Sequence, residues 1–394
     1  MNWFVVVEHD LSEYSAARTH ATEFCLALSK YDDVTLITYS KGSPIGGGSN
    51  ISSISYKPIS MRPNNLGYIF STIKIFVALL NLKRYNKVDI VYIRSSAFGF
   101  GPLLFAKLSK IPGVVEVNGI WREEQMLSIK STPGYKRWLI APVQYLRHLS
   151  LVCITRYADH IIAVTPNIAA YLTRIGINKE KITIARNGVN TDTFTPRDKD
   201  ESKKTLGLTK DIIYIGFVGS LTAWQGTDDL LVSLSLIETS ASINLLIIGD
   251  GSERDNLKAL AKKLNIMDRV HFLGKRPYKD IPTYISACDL LAAPKKSLLS
   301  GYSTLKVYEY MACGRPIIAS QVNGLEFISE YNIGYLFSPG DPYDIKQKIL
   351  TFLDTDMDTR RQMGKRARQL AVEIFSWDAT VQQIRSSIRG SSHS

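Results

Sequence analysis

GYSTLKVYEYMACGRPIIASQV occupies Gly301 to Val322. From Leu305 the apolar residues Leu305, Val307, Tyr308, Met311 and Ala312 recur at helical spacing, and Gly314 followed by Pro316 marks a stop. Pro316-Ile317-Ile318-Ala319-Ser320 then has the make-up of a short buried strand. The unit reads as loop, short helix, tight turn, strand. Lys306 falls in the first helical turn, and Glu309 follows three residues later on the same face. A helix start offers unpaired N–H groups and partial positive charge, so a phosphate can dock there with Lys306 adding a full charge. Glu309 can accept hydrogen bonds from the paired hydroxyls of a ribose. A Lys and a Glu at this spacing are also common on solvated helix faces. The surrounding sequence decides between the two readings.

At 394 residues the chain exceeds the ~250–300 that one hydrophobic core serves, so two domains are expected. Cys25, Cys153, Cys288 and Cys313 stand apart in apolar neighbourhoods, with no Cys-x-x-Cys pair and no His cluster. They are expected to be reduced core residues, neither metal ligands nor a disulfide frame. The opening MNWFVVVEHD lacks a basic region and a cleavage site and is expected to be a first β-strand. No run approaches the roughly 20 apolar residues of a spanning helix, and the reduced cysteines point to a cytoplasmic location. The net charge of +12 is uneven: residues 51–150 hold 14 Lys or Arg against 4 Asp or Glu. Such a field favours an anionic partner, a phosphate-bearing lipid or a membrane surface. Nucleic acid ranks low, because no helix-turn-helix, zinc-finger or aromatic RNA-platform signature accompanies the charge.

In the first half, strand-like runs alternate with helical ones: Trp3–Val7, Ala16–Leu28, Val34–Thr38, Val88–Ile93, Pro102–Ser109 and Val114–Val117. This alternation predicts a parallel sheet covered on both faces by helices, with ligands at the C-terminal strand ends. That rule singles out Glu8-His9-Asp10 after the first strand and Asn118-Gly119 through Glu124 after Val117. Asn118 can donate and accept hydrogen bonds but is no general base near neutral pH. Glu123 and Glu124 suit a ligand contact or simply a helix start. His20 lies on an amphipathic helix, where a ligand contact competes with plain packing. Two stretches suit a membrane surface. Leu66–Tyr85 is apolar almost all round and reads better as a core helix, whereas Tyr135–His148 mixes aromatic and basic residues as interfacial helices do. Gly46-Gly47-Gly48 reads as a loop. Ile161–Val164 and Asn167–Ile175 continue the pattern as strand and helix, followed by the turn at Asn187-Gly188.

Arg197–Lys210 is highly charged and is expected to be an exposed interdomain linker. Ile212–Val218 restarts the strands and ends in Gly219-Ser220, with Gln225-Gly226 soon after. Leu245–Ile248 runs into Gly249-Asp250-Gly251, a Gly-x-Gly without the third glycine of a dinucleotide fingerprint. Val270–Gly274 is followed by Lys275-Arg276, Ile281–Ala292 gives helix then strand, and Pro294–Ser300 leads as a loop into the opening stretch. A last helix starts at Phe375-Ser376-Trp377, and the final RGSSHS has the make-up of a disordered tail.

In their order, these stretches resemble the retaining glycosyltransferases of family 4. Glu309, Ala312, Gly314 and Pro316 match the second half of that family's signature, two glutamates separated by seven residues and then Ala-x-Gly-x-Pro. Gly301 stands where the first glutamate belongs. Ser303-Thr304-Leu305-Lys306 is closer to the Ser-Pro-Leu-Lys pattern of one sub-branch. ARNGVNTDTFTP (Ala185–Pro196) resembles the hallmark Asn-Gly-Val-Asp-x-x-x-Phe-x-Pro, with Asn190 replacing Asp. Where relatives grip the diphosphate with an Arg and a Lys, this chain has Ser220 and Gln225.

The resemblance implies an α/β chain of GT-B fold, two Rossmann-like domains facing each other across a cleft with a C-terminal helix crossing back to the first. It places an acceptor-binding domain at 1–197, a nucleotide-sugar domain at 198–374, and the returning helix and tail at 375–394. It implies a donor site of Gly219, Ser220, Gln225, Gly226, Gly249, Arg276, Gly301, Ser303, Thr304, Leu305, Lys306 and Glu309. Catalytic roles fall to Lys306, Asn118 and Glu309, and acceptor contacts to His20, Glu123 and Glu124. The implied reaction moves a sugar from a nucleotide-diphosphate-sugar to a saccharide or lipid-diphosphate-linked saccharide in cell-surface polysaccharide assembly. Peripheral attachment at the inner membrane face goes with it, and no cofactor or metal is expected. A nucleotide-sugar epimerase of the same fold and a non-catalytic GT-B partner subunit remain rival readings, and an NAD oxidoreductase is a distant third.

Overall fold

The computed structural model describes residues 1–11, 16–40, 54–60, 67–94, 100–120, 145, 149–238, 242–296 and 304–391. Glu123, Glu124, Gly301, Ser303, Gly46–Gly48 and all of 135–148 except Tyr145 lie outside the described residues. Contacts divide the chain into two units, Met1–Asn187 with Trp377–Ser394, and Gly188–Ser376.

Unit 1 is built on a parallel sheet of β1 (Asn2–Asp10), β2 (Asp33–Ser40), β3 (Ser55–Ser60), β4 (Ile90–Arg94), β5 (Gly113–Val117), β6 (His160–Ala163) and β7 (Ile182–Ile184), in the order β3-β2-β1-β4-β5-β6-β7. The helices α1 (Ala16–Leu28), α2 (Gly67–Lys83), α3 (Phe100–Ser109) and α4 (Pro166–Arg174) connect its strands. A sheet buried on both faces needs strands that are apolar throughout, and Trp3 to Val7 are all buried. Val5 pairs with Leu36 on one side and Tyr92 on the other. The strand order reverses between β1 and β4, so their C-terminal ends open onto the crevice where ligands sit in such sheets. Right-handed crossovers place α1 on one face and α2, α3 and α4 on the other. Ile75, Leu79, Leu103 and Phe105 accordingly share a core with Phe4, Val6, Val91 and Ile93.

Unit 2 repeats the plan with β8 (Ile213–Val218), β9 (Ile243–Ile248), β10 (Val270–Gly274), β11 (Leu290–Ala293), β12 (Ile317–Ser320) and β13 (Gly334–Phe337), ordered β10-β9-β8-β11-β12-β13. Its helices are α5 (Lys199–Thr205), α6 (Thr227–Ser235), α7 (Arg254–Lys263), α8 (Ile281–Ala287), α9 (Leu305–Ala312), α10 (Phe327–Glu330), α11 (Pro342–Asp354) and α12 (Met357–Glu373). Alternate residues of one strand feed opposite cores. Leu246 and Ile248 pack with Tyr308 and Met311, while Leu245 and Ile247 pack with Leu230 and Ile349. The two ends of the unit are side by side: Val189 N–H donates to the Phe375 carbonyl at 2.8 Å, and Val189 bridges Ser376. The chain then closes with α13 (Trp377–Ser391), which belongs to unit 1 and packs on α1 through Trp377 and Phe24.

Three expectations need correction. Arg197–Lys210 is not an open linker, because its centre is α5, capped by Asp198 accepting from Glu201 N–H at 2.8 Å. Lys203 is buried there, donating to the carbonyls of Lys210 and Ile212, 3.3 Å from Asp289. Cys153 is exposed while the other three cysteines are buried, since its neighbours Leu151 and Ile154 take the inward positions of the helix at 149–157. Of α2, only one side is core; Ile73, Val77 and Leu80 face solvent.

Candidate functional site

In unit 2 the crevice at the switch between β8 and β11 gathers the loops that the sequence singles out. Gly219 ends β8 at φ 151°, and a Cβ there would lie 2.6 Å from Lys306 Nζ. Gly249 ends β9 at φ 145°, and its Cβ would fall 1.8 Å from the Gly219 carbonyl oxygen. Only glycine permits that approach of two backbones. Gly226, at φ 67°, turns the chain into α6 and brings Gln225 inward.

Gln225 is the hub. Its Oε1 accepts from Lys306 Nζ at 3.0 Å and from Lys295 Nζ at 2.8 Å, while its Nε2 donates to Ser220 Oγ at 3.3 Å. Each ammonium also sits over a ring: Lys306 is 4.0 Å from the Phe217 centroid and Lys295 is 4.1 Å from that of Trp224. Lys295 is held further by its backbone N–H, which donates to Ser320 Oγ at the end of β12. Burial lowers the Lys306 pKa to about 7, with the Glu309 charge working the other way. Burial lowers Lys295 well below the usual lysine value, and the neighbouring Lys306 charge lowers it further.

Two lysines converging on one neutral amide oxygen, both with their charge discouraged by burial and by each other, form a site that an incoming anion would recharge. The same crevice holds the start of α9, whose cap, Thr304, makes no side-chain capping bond. The hydroxyls of Thr222, Thr227 and Thr304 are buried without a hydrogen-bond partner among the described residues. Unsatisfied hydroxyls, helix N–H groups and two ammoniums are what phosphate oxygens require. Glu309 is buried on α9, and Tyr310 anchors that helix to β8 by accepting from Val218 N–H at 2.8 Å. Leu305 opens the helix, and Arg276 is exposed, 5.8 Å from the Tyr284 ring centroid.

In unit 1 the C-terminal ends of β4 and β5 meet α1 in a buried polar cluster around Glu116. Its Oε2 accepts from Tyr92 Oη and its Oε1 from Asn118 Nδ2, each at 2.5 Å; Oε1 also lies 3.2 Å from His20 Nε2 and 3.4 Å from Arg94 Nε. Burial pushes the Glu116 carboxyl up, but His20, Arg94 and the bonds from Tyr92 and Asn118 outweigh it and leave the pKa lowered. His20 is buried, with its ring 4.8 Å from that of Trp377 and Asn187 beside its side chain. Burial takes its pKa down to about 4, so it is neutral at pH 7. His20 thus meets both the residue where the chain leaves unit 1 and the residue where it returns. Its imidazole is a packed interior group, whereas Asn118 and Arg94 are half-buried.

Lys295, Arg94 and Glu116 are site residues that the sequence reading did not select. All three lie at C-terminal strand ends, so the strand-end rule applied to β4, β5 and β11 would have reached them. Two cavities of about 500 and 520 Å³ lie elsewhere, one lined by Asn2, Asp33 and Lys87, the other by Asp289, Arg315 and Arg368. They open at the opposite, N-terminal strand ends. Among the described residues no group of three or more His, Cys, Asp or Glu is placed to hold a metal ion.

Two family models match the chain: Glycosyltransferase Family 4 over residues 17–193 and Glycosyl transferases group 1 over 198–370. Among curated proteins, the D-inositol 3-phosphate glycosyltransferase of Segniliparus rotundus is 28% identical over 239 residues, 59% of this chain and 52% of that protein. The match therefore spans about half the length of such relatives. Among solved structures, sucrose-phosphate synthase from Thermosynechococcus elongatus superposes with TM-score 0.78 at 19% identity, covering 99% of this chain and 98% of that one. HepE of Anabaena, in complex with UDP and glucose, gives 0.74 at 18% identity, with 99% of each chain covered. One model per unit and two parallel α/β sheets place the chain among family-4-type glycosyltransferases of the GT-B fold.

Proposed function

We propose that the chain transfers a sugar, with retention of anomeric configuration, from a nucleotide-diphosphate-sugar to a saccharide or lipid-diphosphate-linked saccharide in cell-surface polysaccharide assembly. The observation that carries the reading is the convergence of Lys295 and Lys306 on Gln225 beside the start of α9. This chain lacks the Arg and Lys with which relatives grip a diphosphate. Lys295 and Lys306 return two positive charges to the same crevice from a different loop and helix.

As the bond from the anomeric carbon to the diphosphate breaks, negative charge grows on the departing oxygen. The two ammoniums, the α9 N–H groups and the free hydroxyls stabilise it in place. A front-face route suits the site: the new bond forms on the side the diphosphate leaves, and a phosphate oxygen takes the acceptor proton. Glu309 accepts from the ribose hydroxyls and Arg276 borders the base. Asn118, its Nδ2 committed to Glu116, offers Oδ1 to a sugar hydroxyl.

HepE is a structural neighbour solved with UDP, which makes UDP the first nucleotide to try. The test is a thermal-shift series with UDP, GDP, dTDP and ADP on wild type, Lys295→Ala, Lys306→Ala and Glu309→Ala. A nucleotide at about 100 times its Kd adds roughly 2.7 kcal/mol of stability. One nucleotide should stabilise the wild type, and each substitution should abolish or sharply reduce the shift. Should none bind at millimolar concentration, the reading as a non-catalytic GT-B partner takes over; the altered positions Gly301, Ser220 and Gln225 favour that alternative. Turnover of a nucleotide-sugar without any acceptor would favour an epimerase.

A further inference from the structure

We propose that the outer faces of α2 and α3 form a docking surface for an anionic lipid bilayer. The two helices lie side by side on one face of the unit 1 sheet, so close that a Cβ on Gly101 would meet the Thr72 carbonyl oxygen. On α2, Ile73, Val77 and Leu80 recur at i, i+4 and i+7 on the side away from the core; on α3, Phe100, Leu104 and Leu108 recur at i, i+4 and i+8. None of the six is needed by the core, which Ile75, Leu79, Leu103 and Phe105 fill. Ile73, Leu104 and Leu108 are 54%, 51% and 67% exposed. Single exposed apolar residues are ordinary, but two aligned stripes on adjacent helices make a contiguous patch, which marks an interaction surface.

Charge decides the partner. Neither helix contains an Asp or Glu, while Lys74, Lys83, Arg84 and Lys110 lie on or just beyond them and are exposed; Lys107 is paired with Asp159. Arg84 continues the α2 stripe one turn on, and Tyr85 beside it is 86% exposed, an aromatic at a basic edge as membrane interfaces favour. A second copy docked by the same faces would bring lysine stripes against lysine stripes, a like-charge contact that selects against self-association. An anionic bilayer accepts the apolar stripes into its headgroup boundary and draws the rim of cations to its surface.

The choice of a bilayer rests in part on the lipid-linked acceptor proposed above. Sedimentation with vesicles, measured without sugar transfer, keeps the two separable. Wild type is mixed with vesicles of phosphatidylcholine alone and of equimolar phosphatidylcholine and phosphatidylglycerol. It should sediment with the anionic vesicles and stay in solution with the neutral ones. Leu104→Glu/Leu108→Glu should weaken partition at least tenfold, and Lys83→Glu/Arg84→Glu should weaken it and remove its salt dependence, while the melting curve of each variant matches wild type. Absence of wild-type binding, or equal binding by the Leu104/Leu108 variant, overturns the proposal. A dimer seen by light scattering that the same variant dissociates, without vesicle partition, overturns it too and assigns the face to a second copy. Vesicle binding without nucleotide binding would sink the transferase reading and leave this one standing.

Discussion

Lys306 and Lys295 show what burial does to a cation before its ligand arrives. A lysine in water keeps its proton to about pH 10.4; Lys306, buried, gives it up near 7. A diphosphate needs both ammoniums charged, so binding takes up a proton at Lys306 above that point, and Lys295, whose pKa burial also lowers, adds to the uptake. Nucleotide affinity should fall as pH rises beyond about 7, by up to tenfold per unit for each of the two lysines, and Lys306→Gln should remove the Lys306 part of the slope. Isothermal titration in buffers of differing ionisation enthalpy measures both the slope and the proton uptake. The sign reverses for the ligand-free fold: between about 7 and 10.5 the unfolded chain binds the proton and the folded site does not, so this group adds stability as pH rises. Lys295→Ala removes one charged donor and should cost about 1.5–3 kcal/mol of nucleotide affinity, roughly ten- to hundredfold. Lys306 was legible from sequence because it opens a periodic helix after a loop. Lys295 was passed over although it follows the end of β11, because the strand-end rule marks the loop while only the fold turns this side chain onto Gln225.

The glycine loops that follow β8 and β9 are where element geometry controls the site. Gly249→Ala would drive a Cβ onto the Gly219 carbonyl and strain a φ of 145°. It should destabilise unit 2 by about 2 kcal/mol or more and weaken nucleotide binding with it. Urea unfolding followed with and without UDP reads both effects. Central strands such as β1, β4, β5, β8 and β9 were legible because they are apolar runs buried on both faces. The expected helix Leu305–Ala312 matches α9 as observed. β3 (SYKPIS) and β7 (ITI) were not read: both are sheet-edge strands, short or interrupted by Pro58, and carry little periodicity. α5 was hidden because its charges, which read as solvent-facing, include a buried Lys203 held by the carbonyls of Lys210 and Ile212 and by the distant Asp289. The outward stripe of α2 was hidden for the opposite reason: composition alone cannot tell an unpartnered apolar face from a core one.

At the scale of the whole molecule, each unit has a core of its own, and each should respond to different perturbations. Asp32 ties α13 to unit 1: its carboxylate accepts from Arg385 Nε at 2.6 Å and Nη2 at 3.2 Å, and from Trp3 Nε1 at 3.0 Å. Burial raises its pKa, the Arg385 bonds outweigh that, and the net shift is downward. The stability it supplies is therefore present above the ordinary carboxylate range and lost as pH falls through it. Asp32→Ala leaves Arg385 without its partner and should cost unit 1 roughly 3 kcal/mol or more. The nucleotide-dependent shift proposed for unit 2 should survive that substitution in calorimetry.

Val189 and Phe375 close unit 2 with a 2.8 Å hydrogen bond, so its first and last residues are neighbours. On the other side of the same junctions, Asn187 and Trp377 both touch His20. In genetic terms unit 2 reads as a cassette whose entry and exit are stitched together: Gly188–Ser376 leaves and rejoins unit 1 at neighbouring points. On the proposed reading, replacing it with the matching piece of a relative should change nucleotide preference without lengthening either junction.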